Sequence, residues 1–159
     1  MQIRDIMSQS VITCSPSDSL NAAARLMWEN DCGAIPVVDD GGSTVGMITD
    51  RDICMAGYIQ HKLLPEISVT DVMSKDVATC TTSDTLEAAE RLMGERQVRR
   101  LPVVDGNSKP VGIVSLNDIA RYAASAHAKK NGVDRRFTET LAAICEPRKS
   151  SRAAEQPRA

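Results

Sequence analysis

The chain carries one segment twice. Asp5-Ile6-Met7-Ser8 lies over Asp71-Val72-Met73-Ser74, and the alignment runs without a gap to Asp52-Ile53 over Asp118-Ile119, at a constant offset of 66 residues. Nearly half of the aligned pairs are identical. The period exceeds the roughly 20–50 residues of solenoid units, and two copies make no open array. The expectation is therefore a pseudo-symmetric pair of small modules. A module of ~60 residues is marginal alone, because a short chain buries too small a share of its surface. Two of them packed together within 159 residues can share that burial.

Composition narrows the classes of function. Aromatic residues make up only 3% of a chain that is 42% hydrophobic, so the core must come from Val, Ile, Leu, Ala and Met. A net charge of −2 gives no basic field of the kind nucleic-acid binders carry. No run approaches the ~20 apolar residues of a membrane span. Met1-Gln2-Ile3-Arg4-Asp5 lacks the pattern of a signal peptide. The five cysteines (Cys14, Cys32, Cys54, Cys80, Cys145) are odd in number and scattered, which argues against a disulfide framework and a zinc ribbon. A reducing cytoplasm is the expected setting, with no nucleic-acid or membrane partner.

Each copy reads as strand, helix, strand, strand, helix, an α/β (α+β) arrangement. Val11-Ile12-Thr13-Cys14 and Val77-Ala78-Thr79-Cys80 are short β-prone runs. Ser17-Asp18 offers helix N-cap chemistry ahead of Leu20, Ala23, Ala24 and Met27 at helical spacing. In the second copy Asp84 and Glu87 have capping-box spacing, ahead of Leu86, Ala89 and Met93. Ile35-Pro36-Val37-Val38 and Leu101-Pro102-Val103-Val104 predict strands, each followed by a turn. Val45–Ile48 and Val111–Val114 follow as third strands, then helices over Asp50–Tyr58 and Leu116–Ala124. A further helix is expected over Phe137–Cys145, stopped by Pro147. The tail from Arg148 to Ala159 has the composition of a disordered segment.

The sharpest local feature is Gly46-Met47-Ile48-Thr49-Asp50-Arg51-Asp52, echoed as Gly112-Ile113-Val114-Ser115-Leu116-Asn117-Asp118. In both, a strand ends in a hydroxyl residue and a helix opens with an aspartate three positions on. The helix N-terminus favours negative charge, and an aspartate can accept both hydroxyls of a ribose. The same Thr/Ser-x-x-Asp spacing is also a plain capping box needing no ligand. Spacing leaves both readings open.

Taken together, Asp-Ile-Met near the first start, Ile-Pro-Val-Val-Asp or Leu-Pro-Val-Val-Asp in the middle, and Val-Gly-x-x-Thr/Ser-x-x-Asp at the end resemble CBS domains over roughly residues 1–125. The chain is also similar to small stand-alone bacterial CBS-pair proteins of the hypoxic-response type, in part through Ala142-Ala143-Ile144-Cys145-Glu146-Pro147. The resemblance implies a first repeat over 1–60, a connection over 61–68, a second repeat over 69–125, and a C-terminal extension with a helix over 126–147, before the tail at 148–159. It implies two repeats packed as one Bateman module, whose clefts take adenosine-containing ligands: AMP, ADP or ATP first, with NAD and S-adenosylmethionine as further choices. A homodimer and an effector protein of unknown identity are the implied partners, and no cofactor is required.

Carried over by residue, the resemblance makes the clefts unequal. The first would use Asp52 for the ribose, Thr49 near ribose or phosphate, and Thr13 and Ala34 around the base. Arg99 and Arg100, just before the mid-module strand of the other repeat, would meet the phosphates, where guanidinium forks suit the task. The second would use Asp118, Ser115 and Thr79, with Gly33 and Ala34 at the cross-repeat positions and Arg51 as a partial substitute. A solvated loop at Gln97–Arg100 is the plainer reading of those arginines. Cys14 and Cys80 are expected to be buried, with a Cys14–Cys145 disulfide or metal pair as the alternative should Cys145 fold back on the first module. His61 and His127 are expected on the surface, and Met7, Met27, Met73 and Met93 in the core.

The expected function is a non-catalytic regulatory, signal-transducing module. The rival is an interaction module with vestigial clefts. More distant is an enzyme fragment, or a nucleic-acid binder using Arg96, Arg99 and Arg100.

Overall fold

The computed structural model describes residues 1–123 and the backbone of 133–145, with side chains of Arg136, Phe137, Glu139, Thr140, Leu141, Ala143 and Ile144 in the latter. The first repeat contains α1 (Leu20–Glu29), β1 (Ala34–Val38), β2 (Thr44–Thr49) and α2 (Asp50–Gln60). The second contains β3 (Cys80–Thr81), α3 (Leu86–Arg96), β4 (Arg100–Val104), β5 (Pro110–Ser115) and α4 (Leu116–Ala123), followed by α5 (Val133–Cys145). β1–β2 and β4–β5 are antiparallel pairs of identical register, Ala34 opposite Thr49 and Arg100 opposite Ser115, each with one irregularity near its turn. The duplicated sequence thus folds twice in the same way.

Two local expectations are corrected. The Val11–Cys14 strand shrinks to a single parallel bridge, Cys14 to Val37, while its counterpart keeps two residues beside β4. The caps of α1 and α3 fall one residue later than read, on Ser19 and Thr85, whose hydroxyls accept from Ala22 and Ala88 amides at 3.2 Å. Asp18 and Asp84 instead bond back to the Ser15 and Thr81 amides at 2.8 and 2.7 Å, closing the turn that precedes each helix. That local side-chain bond competes with capping.

The two cores are built by exchange. One gathers Leu20, Ala23, Met27, Ile35, Val37 and Ile48 with Ile67 from the connection and Val69 from the start of the second repeat. The other gathers Leu86, Met93, Leu101, Val103 and Val114 with Ile3 from the start of the chain. The backbone bridges are symmetric: Gln2 to Thr85 and Ser8 to Ile113 on one side, Ser68 to Ser19 and Ser74 to Met47 on the other. Met7 and Met73 therefore pack, as expected of core residues, but each against the other repeat.

The symmetry ends at α5, which packs on α3 and α4 of the second repeat rather than folding back on the first, as a Cys14–Cys145 pair would need. Gly94 admits it: a Cβ there would lie 3.3 Å from Ala143 Cβ. Arg136 pairs with Glu87 at 3.1 Å and with buried Glu90 at 3.4 Å, and Ile144 joins the second core. The first repeat carries Trp28 and Ala24 where the second has Gly94 and Glu90. There, a groove of about 470 Å³ lies open between α1 and α2, lined by Met27, Trp28, Cys32, Ile53 and Cys54. The Arg148–Ala159 tail and His127 lie outside the described residues.

Candidate functional site

Strand β2 ends at Thr49 and α2 begins at once, so one residue serves both. Its backbone is extended, and its hydroxyl accepts from the Asp52 amide at 3.2 Å. Asp52 Oδ2 returns the bond, accepting from the Thr49 amide at 3.0 Å and the hydroxyl at 2.7 Å. The capping box is therefore present, yet it consumes only half of the carboxylate. Among the described residues Oδ1 of Asp52 accepts no hydrogen bond, and the side chain is half-buried. Asp50 shares the first turn of α2 and accepts from the Arg51 amide at 2.7 Å. Two carboxylates already satisfy the positive end of the helix dipole. This end is set to receive hydroxyl donors rather than a bare anion.

The second end repeats the plan and then departs from it. Asp118 Oδ2 accepts from the Ser115 amide at 2.8 Å and its hydroxyl at 2.5 Å, and the Ser115 hydroxyl accepts from the Asp118 amide at 3.3 Å. Oδ1 accepts from Arg121 Nη2, one turn further along α4. Asp118 is buried where Asp52 is not. Sequence reasoning passed over Arg121, although an aspartate–arginine pair at i, i+3 on one helix face was a readable signal.

The remaining residues fall into place unevenly. Ala34 is buried at the start of β1, opposite Thr49, and half-buried Thr13 precedes the Cys14 bridge. Arg100 occupies the matching start of β4, opposite Ser115, and the carbonyl of exposed Arg99 accepts from the Leu116 amide. Thr79 is half-buried ahead of β3, and Arg51 is exposed on α2. No hydrogen bond or ion pair among the described residues joins Arg99 or Arg100 to Thr49 or Asp52. Arg96, by contrast, is tied to Asp76 at 2.7 Å.

The cysteines read as buried are buried. Burial, with Asp18 adding to it, pushes the Cys14 thiol up to about 11; burial and Asp84 push Cys80 up to about 12. Cys14 sits in the first core, whereas α5 packs on the second, and the Cys145 side chain lies outside the described residues. His61 is exposed at the left-handed end of α2. No helix among the described residues is long and apolar enough to cross a membrane.

Two tandem α+β repeats, each with a hydroxyl–aspartate pair at the end of its second hairpin strand, make a pseudo-symmetric pair of modules. Residues 3–58 and 69–125 each match the family model of the CBS domain, and the chain belongs to that family. It is 34% identical over 145 residues to Hypoxic response protein 1 of Mycobacterium tuberculosis, covering 91% of this chain and 94% of that protein. The crystal structure of that protein with two coordinated zinc ions matches with a TM-score of 0.70 at 33% identity, covering 77% of this chain and 98% of the other. Among the described residues here, no group of three or more His, Cys, Asp or Glu side chains could hold a metal ion. The CBS domain pair of protein MJ0100, in complex with 5′-methylthioadenosine and S-adenosyl-L-methionine, matches with a TM-score of 0.70 at 29% identity, covering 77% and 94%. CBSX2 in complex with AMP matches with a TM-score of 0.68 at 32% identity, covering 77% and 95%. The chain is thus a CBS pair, a regulatory class of module.

Proposed function

We propose that this chain is a non-catalytic cytoplasmic sensor that binds an adenine nucleotide, AMP, ADP or ATP, in the cleft of Thr49 and Asp52. The half-free carboxylate of Asp52 carries the reading, because a ribose diol needs an acceptor oxygen that the cap has not consumed. Ala34 and Thr13 frame the base, and Arg99 and Arg100 meet the phosphates from the other repeat. Asp118, Ser115, Thr79 and Arg51 form the weaker second cleft. Support for the ligand class comes from the adenosine compounds bound by MJ0100 and CBSX2. Binding would signal only through unequal affinity for two arrangements of the repeats or of stacked chains.

Calorimetric titration of the full chain with AMP, ADP, ATP, NAD and S-adenosylmethionine tests the reading. Saturable binding that Asp52→Ala weakens by about tenfold or more supports it, the loss of one charged hydrogen bond being of that order. No heat with any of the five would favour an interaction module with vestigial clefts.

A homodimer is the proposed assembly, and the α1–α2 face favours it. Trp28 is 88% exposed, with Tyr58, Ile59, Leu63 and Met55 also exposed on α2 and just beyond. The matching face of the second repeat lies under α5.

A further inference from the structure

The two hydroxyl–aspartate ends are matched in sequence but not in chemistry. Asp118 has both carboxylate oxygens engaged: the cap holds Oδ2, and the Arg121 guanidinium holds Oδ1. Asp118 is only 5% exposed. The residue of the first repeat that aligns with Arg121 is Met55, which has no proton to donate. Asp52 accordingly keeps Oδ1 open.

We infer that Arg121 is an internal cation that occupies the ligand-facing oxygen of Asp118, so that the chain holds one open adenosine cleft and one that it closes itself. The inference rests on the reading that these aspartates receive ribose hydroxyls. A charge-assisted bond from a guanidinium is stronger than one from a neutral hydroxyl. A ribose entering the second cleft must therefore displace the better donor. The Arg121 side chain is 73% exposed, so the closure is competitive. A ligand present at high enough concentration displaces it, and the two clefts fill at different concentrations. The asymmetry comes from a single position of the repeat, arginine in one copy and methionine in the other.

Equilibrium dialysis of the full chain against labelled AMP and ATP, with thermal melts confirming each fold, tests this with reciprocal variants. Both positions are exposed enough to accept exchange, Met55 at 40%. Because Met55 also lies on the proposed dimer face, sedimentation of Met55→Arg must show the wild-type assembly before its cleft is compared. The wild type should bind one equivalent per chain before a second, weaker one. Arg121→Met should tighten the second by about tenfold, the scale of one such bond. Adding Asp118→Asn should abolish that gain, and Met55→Arg should weaken the first cleft. Two equal sites in the wild type would overturn the inference. So would a second site unchanged or weakened in Arg121→Met, the latter making Arg121 a phosphate ligand. Binding by Arg121→Met but not by the wild type would leave the closure standing and remove the open first cleft. Binding by neither would remove both readings.

Discussion

Met7 lies against Gly112, and the same contact recurs in the other half, where Met73 lies against Gly46. A Cβ on Gly112 would come within 2.6 Å of Met7 Sδ and 3.1 Å of the Ser8 carbonyl oxygen. The methionine comes from the start of one repeat and the glycine from the third strand of the other. These two contacts lock each leading segment onto the hairpin it caps.

Gly112→Ala is expected to destabilise the protein by about 1–3 kcal/mol, the cost of forcing a methyl into a filled site. Met7→Ala creates a void of its own, yet the double variant should lose less than the sum, because the methionine that blocks the methyl is gone. Urea denaturation of the four species measures this coupling. Strict additivity would mean that the sulfur is not what meets the new methyl.

The pH dependence should carry the mark of Glu90. Burial pushes its carboxyl above the usual value of 4.5, against the pull of Arg136. With pH rising past that value, the unfolded chain releases this proton before the folded one does, so folding loses stability up to the raised folded value. Glu90→Gln should flatten that part of the curve of unfolding free energy against pH. The same slope in the variant would assign it elsewhere. Glu87, also facing Arg136, acts oppositely: bonds to its own backbone amide hold its carboxyl low, so its contribution is lost as the solution is acidified.

Thiol labelling should sort the cysteines by burial. Cys14 and Cys80, each 4% exposed and pushed up to about 11 and about 12, should react with iodoacetamide at pH 8 only as fast as the fold opens. Of the four cysteines with described side chains, exposed Cys54 should react first. Mass mapping of a time course reads the order, and early modification of Cys14 would contradict the packing of the first core.

Trp28→Glu should convert the proposed dimer to monomer in sedimentation equilibrium without lowering the unfolding free energy of the monomer. A wild type that is monomeric at high micromolar concentration would remove the α1–α2 face as a self-interface. Cys54 lies in the groove beside Trp28, so its labelling rate should rise as a dimer is diluted.

Much of this architecture is legible in the order of the amino acids, for a physical reason. A gapless repeat forces both copies to use the same hairpin register, and Ala34–Thr49 does match Arg100–Ser115. The caps are harder to place because Asp18 and Asp84 stand beside Ser19 and Thr85 with equally good capping chemistry, and only the preceding turn decides which is free. The exchange of Ile3 and Val69 is hidden because periodicity shows that a residue is buried, never in which of two like cores. The seat of α5 leaves a trace in Gly94, small where the first copy has Trp28. At the site, Thr49, Asp52, Ser115 and Asp118 are legible from spacing. The difference between the two carboxylates lies one helical turn away, at Met55 and Arg121.

The crossed leading segments bear on how such a chain can be cut. A single copy lacks the apolar residue that completes its own core and carries one that fits the neighbour's, Ile3 in the first copy and Val69 in the second. A free single copy would be whole only as two chains lending arms to each other, the arrangement that the joined copies keep within one chain. Cleavage between His61 and Ile67 would accordingly leave no self-sufficient half, but two fragments that must stay together to remain folded.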